Sequence, residues 1–119
     1  MCLATLPTDC TPSIEPTFNE IYDKVITQRC GATDTGTACH GRNGLKGELG
    51  LFTADAAYAA LMGTDNTRAR VAPGDPLCST LTVRLESSDP AFRMPLGEQA
   101  LSPGTRCAIQ RWIEQGAQR

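Results

Sequence analysis

The stretch Cys30–His40, "CGATDTGTACH", decides how this chain is read. It carries two of the six cysteines and ends on the only histidine. Eight residues separate Cys30 from Cys39, all of them small or polar. They show no hydrophobic period, so they form neither a half-buried strand nor an amphipathic helix. Glycines recur through residue 52, six of them in 31–52, which makes that span one long loop. Long loops in small domains are usually functional or disordered. Two cysteines and an adjacent imidazole leave three readings: a cofactor attachment, a metal site, or a disulfide beside a chance histidine.

Helices flank this loop. Before it, Thr17 and Glu20 have the T-x-x-E form of a capping box, in which each side chain satisfies an orphan backbone N–H. Phe18, Ile21, Tyr22, Val25 and Ile26 follow at helical spacing, and Gly31 is a natural stop near Arg29. After it, Thr53 caps "ADAAYAALM", which Gly63 ends. Asp75 and Pro76 suit the cap and first position of a third helix, with Leu77, Leu81 and Leu85 on its buried side. Ser102 and Pro103 open a fourth, with Ile109, Trp112 and Ile113 as its apolar face. Cys107 lies roughly opposite that face. Residues 87–101 form a second long loop. The expectation is an all-α fold of about four helices, with an extended, Pro- and Thr-rich arm over 1–16 and one domain over 17–119.

Composition narrows the function. The 119 residues suffice for one modest core, but aromatics are only 5%, a deficit that an apolar cofactor or tightly packed small residues would fill. The net charge of −2 and the absence of a basic run argue against a nucleic-acid partner. No apolar stretch is long enough to span a bilayer. Six cysteines favour an oxidising compartment. Residues 1–15 have neither a basic start nor an apolar run, so no leader is expected in them. Cys2 is either a lipid-bearing cysteine or an ordinary disulfide partner.

The chemistry-bearing residues are few. The Cys39–His40 end matches the end of the C-x-x-C-H haem-attachment motif, with a stretched spacer. Thioethers would tether the porphyrin, and the adjacent imidazole could reach the iron. Met94 sits in a Pro-containing loop, "FRMPLG", where an apolar side chain needs a partner. Its thioether suits a second axial ligand, since His/Met ligation raises the potential of a haem. A structural zinc site would want a second close Cys or His pair, which is missing. A cysteine nucleophile would want a histidine remote in sequence. No phosphate-binding glycine motif follows a strand.

In this order the features resemble a class I monohaem cytochrome c, and in particular the small c-type cytochrome domains of planctomycetes and myxobacteria. The resemblance runs over residues 18–117 through "FNEIYDKVI", "CH", "LFTADAAYAALMG", "VAPGDPLCSTLTVRL", "RMPLG" and "LSPGTRCAIQRWIEQGA". It implies helices wrapped around one haem c, with His40 as proximal ligand, Met94 as distal ligand, and Cys39 and Cys30 as thioethers. It implies a single-electron carrier and not an enzyme. Its partners would be redox proteins, met transiently or within a larger complex, in the periplasm or at the cell surface. A lipid anchor at Cys2 would be the only link to a membrane.

Two departures stand out. The spacer must loop outward for Cys30 to reach the second vinyl, or Cys30 pairs elsewhere. No proline follows His40 before residue 73, so another backbone carbonyl must hold the imidazole N–H. Arg42, Arg68, Arg70 and Arg93 are candidates to pair with the haem carboxylates. Of the three pairings open to the other cysteines, Cys78–Cys107 with Cys2–Cys10 is preferred, as a staple around the methionine loop. Two alternatives remain at this point. One is a haem enzyme or gas sensor lacking the Met94 bond. The other is a haem-free, disulfide-stapled binding module with a Cys30–Cys39 bridge.

Overall fold

The computed structural model describes residues 1–31 and 39–119. Four helices and one short 3-10 turn make up its regular structure, and no strand occurs among the described residues. The first helix, α1, runs without a break through Phe18–Ile21, Tyr22–Ile26 and Thr27–Arg29. Its middle segment is a π turn, wider than the α-helical turns on either side. Ile21, Tyr22, Val25 and Ile26 are all buried, the spacing i, i+1, i+4, i+5 of a single helix face. The Thr17 hydroxyl accepts from Glu20 N, and Gly31 takes a φ of 64° where the helix stops, as expected; the return half of the capping box is not made, since Thr17 N donates to Glu15 O and the Glu20 carboxylate pairs with Lys24.

The second helix, α2, spans Ala54–Met62. Thr53 caps it by accepting from Ala56 N at 3.1 Å. Gly63 closes it in the left-handed region at φ 77°, where a Cβ would also meet Ala69 N at 2.9 Å. The last helix, α4, spans Pro103–Glu114, with Ser102 accepting from Thr105 N at 3.2 Å. Phe18 is where α1, α2 and α4 meet. Its ring lies edge-on to Tyr58 at 5.2 Å and tilted against Trp112 at 5.6 Å. With so few aromatics, this cluster anchors one end of the core and leaves the other end to aliphatic side chains.

The third helix, α3, departs from expectation. It spans Thr80–Glu86, a turn later than the Asp75–Pro76 signal implies. Asp75 does accept from Cys78 N, at 3.2 Å, so the cap is present but serves only a turn. Ser79 then stays extended, at φ −74° and ψ 125°. Its hydroxyl is held by Ala72 N at 2.9 Å and donates to Asp75 O at 2.8 Å. Those bonds fold residues 72–79 onto themselves and delay the helix. Leu77 therefore falls outside the helix and is exposed, while Leu85 is buried and Leu81 is half-buried.

The disulfides also correct the preferred pairing. The structure joins Cys2 to Cys78 and Cys10 to Cys107. The physical reason is that residues 1–17 do not close on themselves but run across the molecule. Gln110 donates to Pro7 O at 2.8 Å, Arg111 to Thr8 O at 2.9 Å, and Ser13 N to Gly104 O at 3.1 Å. The arm thereby covers the face of α4 opposite Trp112. That cover explains why Cys107 and Gln110 are buried on what the sequence pattern marks as the outer side. The sulfur of Cys2 is bonded to Cys78, so a lipid thioether at Cys2 and this disulfide are mutually exclusive.

Gly104 permits the close approach. A Cβ there would lie 2.8 Å from Ser13 Cβ, inside contact distance and against an atom fixed to backbone. Alanine gains about 1 kcal/mol over glycine in a helix interior and less at Gly104, the second residue of α4. We expect Gly104→Ala to forfeit that gain and to lower stability by about 1–2 kcal/mol through overpacking against the arm. Urea unfolding checks it, and a stabilised variant would show that the arm yields freely.

Candidate functional site

His40 is positioned by a backbone knot. Lys46 N donates to Cys39 O at 2.8 Å, and Leu51 N donates to His40 O at 2.7 Å. Between them the chain bends through left-handed conformations at Leu45, Gly47 and Glu48, with φ of 46°, 63° and 62°. Two of these are not glycine, so the bend holds local strain that its surroundings must offset. The bend brings Leu49 O to 3.1 Å from His40 Nδ1. This carbonyl stands where the sequence offered no proline carbonyl. Nδ1–H donating to it leaves Nε2 as the ring's lone-pair atom. Burial pushes the imidazole below its ordinary pKa, against the opposing pull of the Leu49 and Lys46 backbone bonds. The ring is therefore neutral near pH 7, the form that binds metals.

Arg70 fastens this bend to α2. It is a buried residue whose guanidinium donates to Gly47 O at 2.7 Å, Ala60 O at 3.2 Å and Thr67 Oγ1 at 2.8 Å. Desolvation lowers its pKa, followed by the field of neighbouring Arg68. No carboxylate is ion-paired with it among the described residues.

Met94 comes from the opposite side. Phe92 N and Arg93 N both donate to Asp89 O, at 3.0 and 2.8 Å, forming a turn that leads into Met94. Met94 N donates to Arg84 O of α3 at 3.1 Å, and the Met94–Pro95 bond is cis. The side chain is half-buried and packs against the core.

Between these two loops lies a cavity of about 250 Å³. His40, Met94 and Cys30 all line it, with walls from Ile21, Val25, Ile26, Leu61, Leu85 and Trp112 among others. The structure thus brings together three of the four residues singled out in the sequence. Cys39 is exposed and is not among the lining residues, although it adjoins His40. Cys30 and Cys39 are both free thiols. Burial pushes the Cys30 thiol up to about 11, so it is neutral at physiological pH. The outward looping of the spacer falls on residues 32–38, outside the described residues.

Among the described residues the charges around the cavity are of one sign: Arg29, Lys46, Arg68, Arg70 and Arg84 line it and no carboxylate does, in a chain whose net charge is −2. Two of the four arginines suggested by sequence, Arg68 and Arg70, belong to this set. Arg42 instead lies 4.2 Å from the centre of the Phe52 ring. Arg93 donates to Glu98 O at 3.2 Å and does not line the cavity; its Nε is buried without an acceptor among the described residues. Sequence reading passed over Arg29, Lys46 and Arg84. Only Arg84 had a legible signal, its place beside Leu85 at the buried edge of a helix.

Among the described residues no group of three His, Cys, Asp or Glu is placed to hold a metal ion, and no helix is long and apolar enough to cross a membrane. An apolar hollow with two single donors facing it from different loops suits a flat metal complex better than a bare ion. Residues 37–95 match the family model of planctomycete cytochrome C. That match supports a cytochrome c-like family for the chain. The cytochrome match takes in Cys39, His40, α2, α3 and Met94, and leaves Cys30, α1 and α4 outside it. No curated protein and no solved structure matches the chain.

Proposed function

We propose that the protein is a single-electron carrier with one c-type haem in the cavity between His40 and Met94. The observation that carries this reading is the convergence of an imidazole, a thioether and a thiol on one apolar cavity ringed by cations. The match to a cytochrome family supports it. The residues fit the group: aliphatic walls suit a porphyrin, the neutral His40 ring and the Met94 sulfur suit iron, and the cationic rim suits carboxylates.

When bound, the haem supplies the one-electron couple. His40, held in its tautomer by Leu49 O, and Met94 would be the residues that hold the iron, and the thioether of Met94 would raise the potential. Two axial ligands leave no open position for substrate, which separates a carrier from a haem enzyme or gas sensor. Cys39 and Cys30 form the thioethers. Arg70, already desolvated and without a carboxylate of its own, pairs with a haem carboxylate, with Arg68 beside it at the surface. Redox partner proteins dock weakly at the exposed edge, and the two disulfides support an extracytoplasmic, oxidising compartment.

The test is production with a haem-maturation system, followed by haem staining after denaturation, intact mass and a pyridine haemochrome spectrum. The expected result is retained stain, a mass gain of one haem and a spectrum of two thioethers that changes to one in Cys30→Ala. A folded protein without stain would overturn the reading. A single-thioether spectrum unchanged in Cys30→Ala would confine attachment to Cys39.

A further inference from the structure

We propose that Arg84 is a positioning residue that holds Met94 at the cavity by gripping Phe92; the inference rests on Met94 being the second axial ligand. Met94 lies in 87–101, a loop with no regular structure. A ligand on such a loop keeps its place only if ties offset the conformational freedom of the segment. Arg29 and Arg106 hold its far end at Gln99 O and Leu101 O, and one residue of α3 supplies the ties nearest Met94. Arg84 Nη1 donates to Phe92 O at 3.2 Å, and its guanidinium carbon stands 3.9 Å from the centre of the Phe92 ring. Arg84 O accepts from Met94 N at 3.1 Å. Side chain and backbone of a single residue thus fix positions 92 and 94, on either side of Arg93.

The surroundings indicate that this grip is what the charge serves. Arg84 has no ion-pair partner among the described residues. The carboxylate nearest along its helix, Glu86, is taken by Arg106 at 2.6 Å. A half-buried guanidinium that meets a ring face and a carbonyl uses the planar fork that lysine lacks. Because Arg84 also lines the cavity, its helix, the loop and the ligand site form one continuous wall.

The haem-loaded protein tests it through carbon monoxide binding to the reduced form, the methionine-to-iron charge-transfer band of the oxidised form, and the melting temperature. Met94→Ala sets the ceiling of carbon monoxide binding. Arg84→Gln is expected to raise the carbon monoxide affinity about tenfold over the unchanged protein, as expected for the loss of one charge-assisted hydrogen bond and one cation–π contact. It should also weaken the charge-transfer band. Arg84→Lys should rescue little, and Phe92→Leu should fall between, serving as the decisive variant if Arg84→Gln does not fold. Glu86→Gln breaks the neighbouring ion pair to Arg106 while leaving the Arg106 Nε–H bond to Leu101 O in place, and should lower the melting temperature without moving either spectroscopic readout. Unchanged carbon monoxide binding in the Arg84 and Phe92 variants overturns the proposal, as does an equal rise in Glu86→Gln. If Met94→Ala itself changes nothing, Met94 is not the ligand and the proposal falls with that reading, while haem staining still reports independently on the cofactor.

Discussion

His40→Ala is expected to abolish the native haem spectrum, whereas Met94→Ala is expected to keep the haem and open one coordination position. The asymmetry follows from how the two residues are held. His40 is fixed at both ends, by the Cys39 and His40 backbone bonds to residues 46 and 51 and by Leu49 O on its ring. It also adjoins Cys39, the proposed attachment cysteine, so in the proposed role it would hold the iron during attachment as well as afterwards. Nothing else in the chain replaces it, because it is the only histidine. We expect covalent haem content to fall at least about tenfold, and added imidazole to restore part of the spectrum by filling the space left. In Met94→Ala the potential should drop by on the order of 0.1 V or more, within the roughly 0.8 V that axial ligation spans. Carbon monoxide should then bind the reduced protein. A native spectrum in His40→Ala would remove the histidine from the iron, and an unchanged potential in Met94→Ala would remove the methionine.

The helices and the ligand loops were legible because their signals are local. Thr17, Thr53 and Ser102 cap through side chains one turn away, and Gly63 stops α2 by its own backbone freedom. The apolar face of α1 is a matter of spacing alone, and all five expected residues are buried. What was not legible depends on contacts far apart in sequence. The arm crosses to α4, about a hundred residues away, so neither the disulfide pairing nor the burial of Cys107 shows in any window. The delay of α3 comes from Ser79, whose hydroxyl binds 72 and 75, and that folding back overrides an otherwise good cap at Asp75. At the site, the need for a carbonyl at His40 could be inferred, but not that Leu49 supplies it, since left-handed φ at Leu45 and Glu48 has no propensity signal. Cys39 and Cys30 reversed in prominence: the cysteine next to the histidine is exposed, and the distant one lines the cavity.

The two disulfides are expected to contribute unequally to stability, and the inequality distinguishes cover from cross-linking. They close loops of similar span, with sequence separations of 76 and 97. Chain entropy alone gives each about 4–5 kcal/mol as an upper value, with only a few tenths between them. The structure beneath them differs. Cys107 is 2% exposed, and the arm around Cys10 carries the Pro7 and Thr8 contacts to Gln110 and Arg111. Among the described residues, the arm beside Cys2–Cys78 is tied to the rest of the molecule by the bond from Leu3 N to Leu77 O, in a segment where Leu77 is already exposed. Removing Cys10–Cys107 therefore also uncovers a face of α4 that is apolar at Cys107 and polar but buried at Gln110. We expect the Cys10→Ala/Cys107→Ala pair to lose about 3–5 kcal/mol, a drop of roughly 10–20 °C in melting temperature. The Cys2→Ala/Cys78→Ala pair should lose about half as much, because the arm stays docked through Cys10. Thermal unfolding of the two double variants, with non-reducing peptide maps to verify the remaining bond, measures the difference. Equal losses would mean that only loop closure counts and that the arm adds no cover to α4. Maps joining Cys78 to Cys107 would overturn the arm's path across the molecule altogether.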